Sequence, residues 1–254
     1  MTTEPLRLFW QPGCTSCLKA KEFLSRHGIA YESINVRASA EAMAALEALG
    51  ARSVPVIARG GAFCFAQELD DVARFLGLDW KAERLPVATL IERVQSLLRV
   101  SERLARQMPN AAFETPIQGR PDRTFGDIPF HIAMIVEGFL DAAKGDALTF
   151  QHFERRAEGA SRTPDGVAHS ISETAARFAA WRAHGVAPEQ SLRTYYGTQP
   201  LPGVLERTAW HVAQHARQLE HIIRGLGLAP AAALGAPELA GLPLPEGVWD
   251  KEVG

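Results

Sequence analysis

The chain has 254 residues, enough for two ordinary domains whose cores need no staples. With 27 basic against 29 acidic residues it offers no basic field to a polyanion, which excludes nucleic-acid binding as its main role. Three cysteines are too few for a secreted disulfide framework, and no apolar run approaches about 18 residues, so the expectation is a cytoplasmic protein without a membrane partner.

Residues 6–10 form a strand-like apolar run that breaks at Gln11-Pro12-Gly13, and residues 15–27 show helical spacing at Leu18, Phe23 and Leu24. A second alternating strand covers 31–36 and a helical stretch 40–49. A short strand at 54–58 then leads through the Gly60-Gly61 turn to a strand at 63–65 and a last helix at 67–76. The order β-α-β-α-β-β-α predicts a small α/β domain with its own sheet, over residues 1–80. From Glu83 onward strand signals vanish. Helical patterns run through Leu90, Val94, Leu97, Leu98, Ser101 and Leu104, then 128–142, 166–184 and 203–226, predicting an up-down four-helix bundle over 81–254. The linkers 108–123 and 145–165 are longer than bundle turns need, a length that goes with function or a short helix. The tail from Ala229 is rich in Pro and Gly, and its apolar residues suggest that it drapes over the bundle.

All three cysteines lie in the first 64 residues and seven of eight histidines lie after residue 130, so two modules carry two chemistries. Cys14-Thr15-Ser16-Cys17 sits at a strand-to-helix junction. The first sulfur there faces unpaired helix amides that favour its thiolate, and the second lies one turn on, within reach of a disulfide. Cys14 then acts as nucleophile and Cys17 as resolving thiol. The alternative, two structural or zinc-binding cysteines, has only Cys64 and His27 to complete a ligand set. Cys64, flanked by Phe63 and Phe65, reads as a buried small hydrophobe.

With Ser53-Val54-Pro55-Val56 about forty residues on, residues 5–78 resemble the thioredoxin superfamily, most closely its glutaredoxin branch. The family keeps this proline cis and lays it against the disulfide. The resemblance therefore assigns substrate binding to Val54 and Pro55, with the Val54 backbone exposed to an incoming thiol peptide. One departure stands out. Where glutaredoxins carry a Gly-Gly pair for a glutathione carboxylate, this chain reads Cys64-Phe65-Ala66, and Phe65 would crowd that approach.

In the second module, Trp210-His211-Val212-Ala213-Gln214-His215 puts two imidazoles four residues apart on one helix face, where both can reach one metal ion. The plainer alternative is a pair of surface or capping histidines. Against it, Val212, Ala216 and Leu219 mark an inward face beside the pair, and burying two partnerless imidazoles is costly. His131, near the start of another apolar helix after Thr124-Phe125-Gly126-Asp127, is the candidate third member. At this point residues 83–250 resemble the DinB-like four-helix bundles, which take one histidine from the second helix and an HxxxH pair from the last. The resemblance implies that His131, His211 and His215 hold a divalent metal such as zinc or nickel, with an open position. His152, His169, His184 and His221 read as surface groups, though His152 could line a pocket. Gln214 and Arg217 read as solvated flank.

The better understood relatives of that bundle family are metal-dependent transferases or isomerases that use a low-molecular-weight thiol. The expectation is a metal-dependent thiol transferase, acting on a small thiol (glutathione or another) and a small electrophile, coupled to a thiol-disulfide exchange domain. The alternative is a protein-disulfide oxidoreductase, acting on a disulfide-bearing protein, whose bundle is a non-catalytic metal-binding or docking module. Bundles of this kind also form homodimers.

Overall fold

The computed structural model describes residues 4–252, which divide into two compact units. The first comprises residues 4–83 with 118–120 and 245–252, the second residues 84–117 and 121–244.

In the first unit the chain runs β1 (Leu6–Trp10), α1 (Thr15–Arg26), β2 (Glu32–Asn35), α2 (Ala40–Glu47), β3 (Val56–Arg59), β4 (Ala62–Phe65) and α3 (Leu69–Leu76). This is the small α/β arrangement expected from the residue pattern, and the thioredoxin-like one that the resemblance implies. The sheet order is β2-β1-β3-β4, with β1 parallel to β2 and antiparallel to β3, which pairs antiparallel with β4. Side chains alternate across it as a pleated strand requires. Leu6, Leu8 and Ile57 join Phe23 and Leu24 of α1 and Val72 of α3 in one core, while Phe9, Val56 and Ala58 join Leu46 of α2 in another.

Part of the tail belongs to this unit and not to the bundle. Lys21 on α1, itself buried, donates to Asp250 (2.7 Å) and Glu252 (2.8 Å), and its Nζ lies 3.1 Å from the centroid of the Trp10 ring. The backbone amides of Glu246 and Gly247 donate to the Glu22 carboxylate. Local composition held no sign of this pairing, because it joins residues more than 200 positions apart.

The second unit contains α4 (Val87–Gln107), α5 (Asn110–Phe113), β5 (Pro116–Ile117), β6 (Arg120–Thr124), α6 (Asp127–Lys144), β7 (Ala147–Leu148), α7 (Gln151–Glu154), a 3-10 turn (Gly159–Ser161), α8 (Pro164–Ala183), β8 (Ser191–Thr194), β9 (Gly197–Pro200), α9 (Leu201–Gly225) and α10 (Ala236–Leu239). The four long helices form the expected bundle, in which α4 and α6 each pack against both α8 and α9. Helices consecutive in sequence, α4 with α6 and α8 with α9, thus lie across a diagonal, which their long connections permit. Leu90, Val94, Leu97, Leu98, Leu104 and Ser101 are all fully buried, as the spacing on α4 predicts. Strands are nevertheless present after residue 83. A β5–β6 pair and a three-stranded β7-β8-β9 sheet fill the linkers. Their strands span two to five residues and hold too few apolar residues for a strand pattern to register in the sequence. Among the described residues no helix is long and apolar enough to cross a membrane.

Candidate functional sites

The thiol site is built by the end of β1 and the start of α1. Gln11-Pro12-Gly13 turns the chain, with Gly13 at φ 71°, a left-handed value that glycine adopts without strain. Cys14 is then the N-cap of α1 and Cys17 lies one turn in. The two are joined in a disulfide with Cα atoms 5.2 Å apart. The Cys17 amide donates to the Cys14 sulfur at 3.2 Å, so a first-turn N–H addresses the atom that carries charge when the bridge is reduced. Cys17 is fully buried and Cys14 half-buried, so Cys14 is the more exposed of the two.

The Val54–Pro55 peptide bond is cis, and both residues are buried in the same region. Val54 packs in one apolar cluster with Cys17, against which Cys14, Phe63 and Phe65 also pack. The Val54 carbonyl is engaged, because Gln67 Nε2 donates to it at 3.1 Å in a buried hydrogen bond. A substrate backbone pairing with that carbonyl must therefore compete with Gln67, which sequence reading did not single out. Phe65 stands edge-on to Phe63 with centroids 5.6 Å apart, giving an apolar wall where glycines would leave amides open. Cys64 is apart from the disulfide chemistry. Burial, reinforced by the charge of Asp71, pushes its thiol up to about 12, so it stays protonated.

The second site joins α6 to α9. The Asp127 carboxylate accepts from the Thr124 amide at 2.8 Å, fixing the start of α6 and so the position of His131 one turn on. His211 and His215 lie on one face of α9, which is buried all round from Gly203 to Ala216. One donor atom from each of His131, His211 and His215 lies within 4.8 Å of the others. The ring centroids are 4.9–5.4 Å apart. His211 and His215 are 5% and 6% exposed, which disposes of the surface alternative.

The tautomer of His215 follows from its partner. Its Nδ1 lies 2.8 Å from Gln218 Oε1, an acceptor, so Nδ1 carries the proton and Nε2 the lone pair. That Nε2 is buried, with no hydrogen-bond partner among the described residues. Burial also pushes His215 down from its ordinary 6.5 to about 4, so the ring is neutral near pH 7. A buried, neutral imidazole with an unused lone pair beside two others fits a metal-ligand set. Three nitrogens without a thiolate suit zinc, nickel or a similar ion better than calcium or magnesium. Gln218, like Gln67, is a residue that sequence reading missed. Its one signal is the three-residue offset from His215, which puts it within reach on the same helix. Gln214, expected at the surface, is fully buried and accepts from Arg217 at 2.7 Å. His152 is held elsewhere, its Nε2 3.1 Å from Asp141.

Residues 6–64 match the family model for glutaredoxins. Among solved structures, a mutant of the thioredoxin-like protein BC3987 is 25% identical over 31% of this chain and 100% of that one, with a TM-score of 0.28. No curated protein matches the chain.

Proposed function

We propose that this chain is a metal-dependent thiol transferase of the DinB-like type, in which a glutaredoxin-like exchange domain and a three-histidine bundle work on the same small thiol. The observation that carries the reading is the convergence of His131, His211 and His215, donor atoms within 4.8 Å, with a buried His215 Nε2 whose lone pair has no other use. When bound, a divalent cation supplies Lewis acidity that favours a thiolate over a thiol at neutral pH. His215 contributes by staying neutral and oriented, through burial and Gln218. Phe153, 5.4 Å from the His131 ring and 6.0 Å from the His211 ring, lays an apolar surface beside them.

In the reaction proposed, the sulfur of a low-molecular-weight thiol forms a bond to an electrophilic carbon. The thiol proton passes to the product of addition, or leaves with the displaced group. The Cys14–Cys17 dithiol has the companion role. It transfers two electrons to a disulfide of that thiol, returning two thiols and closing its own bridge.

The test is metal content and turnover in the purified full chain. Wild type is expected to hold one divalent ion per chain and to conjugate a small thiol to an electrophile. His131→Ala, His211→Ala or His215→Ala should remove both ion and turnover. Full turnover in a metal-free variant would refute the reading.

A further inference from the structure

Beside the disulfide, the main chain at Val54 and Pro55 has little to offer an incoming peptide. Val54 packs in the cluster that holds Cys17 and that Cys14 borders, so a peptide whose cysteine reaches Cys14 runs past this segment. An extended peptide docks on such a segment by giving an N–H to a carbonyl and accepting one in return. Pro55 has no N–H, and its carbonyl accepts from the Ala66 amide at 2.9 Å. The Val54 carbonyl accepts from Gln67 Nε2 at 3.1 Å. Both acceptors are thus held by consecutive residues of the stretch between β4 and α3, and at most the Val54 N–H is left. Gln67 is 2% exposed, so displacing its carboxamide strands a buried donor, which costs more than one substrate hydrogen bond returns. A carbonyl oxygen has a second lone pair, but this one lies in a buried hydrogen bond on a residue 8% exposed, which leaves a second donor little access. The side chains of Phe63 and Phe65, half-buried against the same cluster, add apolar surface and no donor.

We infer that Gln67 sets the substrate class of the thiol site: it closes the Val54 carbonyl to peptide backbones and leaves the site to small, non-peptide disulfides. The inference rests on the exchange role of Cys14 and Cys17 and narrows it. In that exchange the Cys14 thiolate bonds to one sulfur of the substrate as the S–S bond breaks and a first thiolate leaves. Cys17 then gives up its proton and bonds to the Cys14 sulfur, which releases the second thiolate. Two electrons pass from the dithiol to the disulfide, and the two protons of the dithiol end on the released thiols. Such a substrate is recognised by its sulfur and by apolar contact, with no main-chain pairing.

The experiment follows one turnover of the full chain, reduced beforehand, with two uncharged disulfides: bis(2-hydroxyethyl) disulfide and the disulfide-linked dimer of the blocked tripeptide Ala-Cys-Ala. Each rate is divided by that of dithiothreitol on the same disulfide, which removes intrinsic reactivity. Wild type should favour the hydroxyethyl compound, and N-methylation of the tripeptide backbone should leave its rate on the peptide unchanged, since no peptide N–H is recognised. Gln67→Met keeps the length of the side chain and removes the donor. In this variant the peptide should gain about three- to tenfold on the hydroxyethyl compound, the effect of one neutral hydrogen bond, and N-methylation should take that gain away. The proposal is overturned if wild type shows no preference, if N-methylation slows wild type as it slows the variant, or if the variant keeps the wild-type ratio. Should Gln67→Met fail to fold, Gln67→Ala takes its place, and the N-methylation result on wild type decides without either. If reduced wild type reacts with neither disulfide while dithiothreitol reacts with both, the exchange role itself falls and the inference falls with it.

Discussion

Burial moves Cys64 and His215 in opposite directions on the pH scale, because it disfavours whichever form is charged. With its thiol pushed up to about 12, Cys64 should resist iodoacetamide at pH 8 in the reduced protein, while Cys14 is alkylated at least tenfold faster. Peptide mass spectrometry after a timed quench reads the difference, and equal labelling would contradict the burial argument. For His215 the folded value of about 4 lies below the ordinary 6.5, so in the metal-free protein the unfolded chain takes up the proton first. The stability this residue contributes is complete above about pH 6.5 and is lost as the pH falls toward 4, by up to about 3 kcal/mol. Urea midpoints across that interval should decline in the metal-free protein and flatten in His215→Gln. The thiols are separable as well. Cys17→Ala should leave Cys14 able to attack but unable to resolve, so that mixed disulfides accumulate, whereas Cys14→Ser should form none.

At the scale of the element, two local arrangements hold the sites. Gly126 stands at the head of α6, where a Cβ would meet the ring of Phe113, a rigid and buried side chain. Gly126→Ala should therefore displace the start of the helix that carries His131, with a loss of about 1–3 kcal/mol in urea unfolding and a weakened metal affinity. A variant with unchanged affinity would mean that the ring gives way without moving the helix. In the thiol unit the segment 245–252 is latched to α1 through Lys21, Asp250 and Glu252. Lys21 holds the Glu252 carboxyl below its ordinary 4.5, so this contribution is present above that pH and is lost as the pH falls through the lowered value. Lys21→Met should free the segment to proteolysis at neutral pH, cost about 1–3 kcal/mol because it leaves Asp250 without its cation, and change the fluorescence of Trp10, whose ring the ammonium covers.

For the whole molecule, two units with separate cores imply two unfolding transitions that answer to different reagents. Chelation should lower only the transition of the bundle, since an ion at a thousand times its Kd adds about 4 kcal/mol to the state that binds it. Reduction of Cys14–Cys17 should lower only the other. Calorimetry showing one transition that moves with both reagents would mean that the units do not unfold independently. Much of this division was readable in the chain. The apolar run of β1, the alternation over 31–36, the spacing of leucines on α4 and the CxxC at a strand-to-helix junction are local patterns, and local patterns follow from the geometry of a single element. His211 and His215 were legible together for the same reason, being one turn apart; His131 was a candidate from its place near the start of another apolar helix, and the resemblance to a bundle family joined it to the pair. Three-dimensional packing decided the rest. It brought His131 to within ligand distance of a helix some eighty residues on, gave His215 a partner in Gln218, put Gln67 on the Val54 carbonyl, and drew the last residues onto α1. Apart from the His215–Gln218 pair, which is local to one helix, each of these depends on burial and on distances between separate segments, which periodicity along the chain does not encode.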